Sequence, residues 1–167
     1  MSPETPQQYI SRILSFADGL DPWTVLSSTA GRLRSLTQGR SREELARTPD
    51  PSRWSVSQIL AHLADAEVVA AWRVRSVLAH DGVALQAFDQ NAWAEAFRYA
   101  EAAAAESLQL FEVNRSATLA LLRRVDPARH SHHGLHAERG RESIEHLLRL
   151  YAGHDLNHIT QVERLLS

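Results

Sequence analysis

The stretch Tyr151-Ala152-Gly153-His154-Asp155-Leu156-Asn157-His158 decides how the chain folds. Read at helical period from Ile144, one inward row carries Ile144, Tyr151, His158 and Leu165, and the neighbouring row carries Leu147 and His154. A helix from Ser143 to the C-terminus therefore has a seam to bury, with imidazoles at two positions that a plain bundle gives to leucine. The two histidines are four residues apart, which puts their Cβ atoms ~5–6 Å from each other on one face. Two imidazoles so placed can grip one cation with bonds of about 2.0–2.1 Å.

Working outward, three more long segments offer seams to match. Asp21-Pro22 gives a cap followed by proline at the first helical position, and Val25, Leu26, Thr29, Leu33 and Leu36 follow on one stripe, ending near Gly39. Ser55 and Gln58 form a capping box for a helix to about Ala79, with Val56, Ile59, Leu63, Ala66, Ala70, Val74 and Val77 inward. A further helix over about 101–125 carries Leu108, Phe111, Leu119, Leu122 and Val125. Between them lie a connector over 39–53 with Pro49 and Pro51, a crossover over 80–100, and a His-bearing loop over 126–141. No alternating Val/Ile/Thr run marks a strand. The architecture expected is all-α: a four-helix bundle over 21–167, with a short helical extension over 1–20 that includes Tyr9, Ile10, Ile13 and Leu14.

Composition excludes several classes. The 167 residues are 44% hydrophobic, enough for one domain with a real core. All 18 basic residues are Arg, and a formal net charge of -2 leaves no surplus for a run of phosphates, so no nucleic-acid partner is expected. With 0 Cys there is no disulfide, thiolate ligand or Cys nucleophile. No apolar run approaches the ~20 residues of a membrane helix and the N-terminus is not signal-like, so a cytoplasmic protein without a membrane partner is expected. There is no G-x-S-x-G elbow, no Gly-rich phosphate loop and no Glu-x-x-His pair of the di-iron type.

The best third donor to join His154 and His158 is His62, on the edge of the stripe in the helix that Ser55 opens. Asp65, Glu67 and Asp155 are candidate acceptors to orient the rings. Imidazoles suit Zn, Ni, Cu and Fe alike. A zincin protease fits poorly, because Asp155 stands in the glutamate slot and no third ligand follows His158; Glu163 lies just over one turn on. His130, His132, His133 and His136 lack regular spacing and read as solvated loop residues, and His80 and His146 as surface residues at helix ends. A substrate is expected at the open end of the bundle, near Phe88, Trp93, Phe97 and Tyr99.

These strings resemble the DinB-like (DinB/YfiT) superfamily. The resemblance rests on Trp54-Ser55-Val56 through His62-Leu63-Ala64-Asp65-Ala66-Glu67, on Phe88-Asp89-Gln90-Asn91-Ala92-Trp93, and on the string 151–158 followed by Gln161. It implies an up-down-down-up bundle and a divalent metal, usually nickel or zinc, on His62, His154 and His158. It also implies a homodimer acting on a small-molecule substrate, either as an S-transferase or isomerase that uses a low-molecular-weight thiol, or as a metal-dependent hydrolase. The alternative is a non-catalytic dimeric bundle that binds metal.

Overall fold

Three of the four long helices begin at side-chain caps that the sequence announces. The computed structural model describes residues 4–48, 50 and 52–167, so Pro49 and Pro51 of the connector and the first three residues lie outside it. Helix α1 spans Pro6–Ser15, α2 Pro22–Thr37, α3 Arg42–Ala46, α4 Val56–Ala79, α5 Gln90–Ala96, α6 Ala104–Arg124 and α7 Ile144–Leu166. Asp21 accepts from the Thr24 N–H at α2, Ser55 and Gln58 cap α4 reciprocally, and Ser143 accepts from the His146 N–H at α7. Ala103 precedes α6 and offers no side-chain cap.

Two apolar clusters show how the helices run. One joins Val25 and Leu26 of α2, Val74 and Val77 of α4, Leu119 and Leu122 of α6, and Ile144 and Leu147 of α7. The other joins Leu33, Ile59, Phe111 and Val162 of the same four helices. The start of α2 thus lies with the ends of α4 and α6 and the start of α7. Helices α4 and α6 are parallel, and the bundle is up-down-down-up as expected.

The crossover and the His-bearing loop hold a small sheet that the sequence did not announce. Strand β1 (Val83–Leu85) pairs parallel with β2 (His133–His136), which pairs antiparallel with β3 (Gly140–Ser143). Strands of three and four residues, with Gly and His among them, are too short to display an alternation. Gly134 is required there: a Cβ on it would stand 2.5 Å from the Leu85 side chain. The histidines of this loop are tied into the fold rather than solvated. His130 and His132 meet the carbonyls of Leu122 and Val77, His133 Nδ1 lies 2.7 Å from Asp81, and His136 is buried. His146 is half-buried, whereas His80 is exposed as expected.

Helix α1 lies against α7 at Gly153, where a Cβ would come within 2.0 Å of the Ile13 carbonyl oxygen. Backbone cannot yield as a side-chain tip can. Gly153→Ala is expected to cost about 1–3 kcal/mol. It should also open α1 to limited proteolysis ahead of the rest of the chain, as read by mass spectrometry of the fragments.

Candidate metal centre

His62 sits in the second turn of α4, and His154 and His158 lie on consecutive turns of α7 facing it. His62 Nε2 is 3.1 Å from His154 Nε2, and one ring nitrogen from each of the three lies within 4.8 Å of the others. Two nitrogens bound to one cation at about 2.1 Å stand roughly 3.0–3.4 Å apart at octahedral or tetrahedral angles, so the His62–His154 spacing fits a shared ion. The rings are held in place by their neighbours. Gln161 Oε1 is 3.2 Å from His158 Nδ1, which lets Nδ1–H donate to it and turns the Nε2 lone pair to the cluster. The Trp54 ring packs 4.9 Å from that of His62, whose buried Nδ1 has no partner among the described residues, so packing orients the ring.

Electrostatics keep all three imidazoles neutral. Burial, with His158 nearby, lowers the His62 pKa to about 3. Burial lowers that of His158 to about 4 despite Gln161 and Asp155, and holds His154 well below its ordinary value. Neutral imidazoles are the form that binds metal.

Beside this cluster lies a buried ionic lock. Arg115 of α6 donates to Asp155 Oδ2 at 2.6 Å, to Asp155 Oδ1 at 3.2 Å and to Glu67 Oε2 at 2.7 Å. Thr29 Oγ1 donates to Asp155 at 2.7 Å, and the Leu26 carbonyl accepts from Arg115. Burial opposes the guanidinium's charge, but the two carboxylates outweigh it and raise its pKa, while burial pushes Glu67 upward against Arg115. This revises the roles expected of three acidic residues. Glu67 and Asp155 serve Arg115, and Asp65 accepts from the Tyr99 hydroxyl at 2.6 Å. Among the described residues none of the three is hydrogen-bonded to an imidazole of the cluster.

Two cavities flank the histidines. His62 and His154 line one of about 300 Å³, whose walls include Phe88, Arg73, His136 and Tyr151. His158 and Gln161 line another of about 530 Å³, and Tyr9 of α1 reaches both. Of the aromatic residues expected to receive a substrate, Phe88 faces the first cavity, whereas Phe97 is exposed and Tyr99 is buried against Trp54. Arg115 and Arg73 had a legible signal that the motif reading passed over. Each interrupts an apolar stripe, Arg115 between Phe111 and Leu119 and Arg73 between Ala70 and Val77.

Fold and residues together define a histidine-bearing four-helix bundle, and comparison with known proteins places it. The family model for the DinB superfamily matches residues 26–162, and the chain belongs to that superfamily. It is 24% identical over 141 residues to a protein of Halalkalibacterium halodurans named "putative metal-dependent hydrolase", covering 84% of this chain and 82% of that one. A protein of the same designation from Oceanobacillus iheyensis is 27% identical over 125 residues, covering 75% and 72%. The solved structure of YfiT from Bacillus subtilis, described as a probable metal-dependent hydrolase with an unusual four-helix bundle topology, superposes with a TM-score of 0.75. It shares 23% identity, over 98% of this chain and 90% of that one.

Two outcomes follow for the metal-free protein. Arg115→Met leaves two buried carboxylates uncompensated and is expected to cost about 3–5 kcal/mol in urea unfolding at neutral pH. The depressed histidine pKa values set the acid limb of stability. Below about pH 6.5 the unfolded chain takes up protons that folded His62 and His158 refuse until about 3 and 4, so stability falls as pH falls through this window. Each such group contributes a slope of about 1.4 kcal/mol per pH unit. His62→Gln should flatten the limb by that amount in unfolding curves taken from pH 7 to 4.

Proposed function

We propose that this protein is a metal-dependent enzyme of the hydrolase type acting on a small molecule, with His62, His154 and His158 holding a divalent cation, zinc or nickel. The convergence of three neutral imidazoles beside a cavity carries the reading. The names of its relatives agree with it. Three protein ligands is the count that catalytic zinc sites use, with a further position for water or substrate. A cation held there supplies a Lewis acid that eases deprotonation of water and polarises the atom under attack. The chain supplies the rest. Gln161 and Trp54 hold two of the rings, Arg115 fixes α4 against α7, and Tyr9 of α1 lines both cavities.

A thiol-dependent transfer at the same site would need its sulfur from a low-molecular-weight co-substrate, because the chain has no cysteine. Self-association as a homodimer is favoured by Val68 and Trp72 of α4 and Leu110 and Val113 of α6, all exposed large apolar side chains.

Elemental analysis of untagged protein after reconstitution with zinc or nickel should find close to one ion per chain. The His154→Ala/His158→Ala double variant should hold none. Turnover of an ester and amide panel, measured with and without added thiol, should be lost in His158→Ala. An empty wild type, or turnover that survives His158→Ala, would reject the proposal.

A further inference from the structure

The cavity beside His62 and His154 contains hydrogen-bond donors that the protein itself leaves without acceptors. Arg73 of α4 is only 3% exposed, yet it pairs with no carboxylate among the described residues. One of its terminal nitrogens donates to the Gln86 carbonyl, and its Nε finds no acceptor among the described residues. The Tyr151 hydroxyl is buried beside the Arg73 guanidinium, which lowers the pKa that burial raises, and among the described residues its own proton finds no acceptor. His136 supplies a third donor by its tautomer. The Glu138 backbone N–H donates to His136 Nδ1 at 3.2 Å, so in the neutral ring the proton is on Nε2. His136 Nε2 is 3.4 Å from Arg73 Nη2, which makes that contact donor against donor.

A buried guanidinium without a counter-ion is costly to keep, and so are buried donors without acceptors. The other charges at this cavity do not relieve it. Arg139 is held by Glu142 at 2.6 Å, Glu4 by Arg12 at 2.8 Å, and Glu138 is exposed. What all three donors lack is one anionic acceptor group.

We propose that Arg73, Tyr151 and His136 bind the carboxylate of a small-molecule substrate and so set its reacting bond toward His62 and His154. A carboxylate fits better than a phosphate dianion, because one guanidinium and two neutral donors balance a single negative charge. The planar fork of arginine suits either group, so the charge balance decides. The assignment rests on the hydrolase reading for what happens to the substrate, but the anion site itself needs no metal.

The test therefore uses chelator-treated full-length protein, titrated calorimetrically with benzoate and separately with inorganic phosphate. Wild type should bind benzoate saturably and more tightly than phosphate. Arg73→Met should weaken benzoate about 10- to 100-fold, and Tyr151→Phe about 3- to 10-fold. Removing an uncompensated buried charge should also raise the melting temperature of Arg73→Met without ligand. Tyr151→Phe removes a hydroxyl whose proton has no acceptor among the described residues, so it reads the site even if Arg73→Met does not fold. Absence of saturable benzoate binding, unchanged affinity in both variants, or a preference for phosphate would each overturn the proposal. The His154→Ala/His158→Ala variant separates the two readings. Benzoate binding that survives there while metal is absent from the wild type would end the metal-enzyme reading and leave the anion site standing.

Discussion

The guanidinium of Arg115 makes contact with all four helices of the bundle. It stands on α6, pairs with Glu67 on α4 and Asp155 on α7, and donates to the Leu26 carbonyl of α2. One planar group with fixed donor directions thereby sets the spacing and register of four cylinders that apolar packing alone would let slide. Asp155 lies between His154 and His158 in sequence, and Glu67 is little more than a turn beyond His62. Locking these carboxylates therefore locks the histidines, and the position of the cluster follows from the position of one arginine.

The interior separates two kinds of polar chemistry. At the lock, one cation faces two carboxylates, and charge is retained because it is paired. At the cluster, burial removes charge from three imidazoles, and among the described residues no carboxylate is hydrogen-bonded to them. Had Asp155 or Glu67 turned to a ring, it would have raised that ring's pKa by favouring the imidazolium. By occupying both acids, Arg115 contributes to the neutrality of the histidines as well as to their placement.

Segments outside the four long helices build the cavities. Helix α1 precedes the residues matched by the superfamily model, and it reaches the histidines because Gly153 lets its backbone approach α7. The crossover and the loop before α7 meet in the small sheet, which brings His136 to the cavity wall. These segments add Ile13, Ala17 and Leu85 to the buried core, and they determine which groups surround the histidines.

The four long helices, their order and their inward faces were legible because period and caps are local properties of the chain, whereas the short α3 and α5 were not. His154 and His158 on one face followed from helical geometry, and His62 from the seam that must cover them. The small sheet was not legible, since β1 and β2 join residues about fifty positions apart and all three strands are too short to carry an alternation. Nor were the partners of the acids: Asp65, Glu67 and Asp155 have the same chemistry in the sequence whether they face an imidazole, a phenol or a guanidinium. The sequence by itself determined which side chains point inward. Only the tertiary structure decided which of them meet, because contact between helices depends on register and crossing angle, which no single helix encodes.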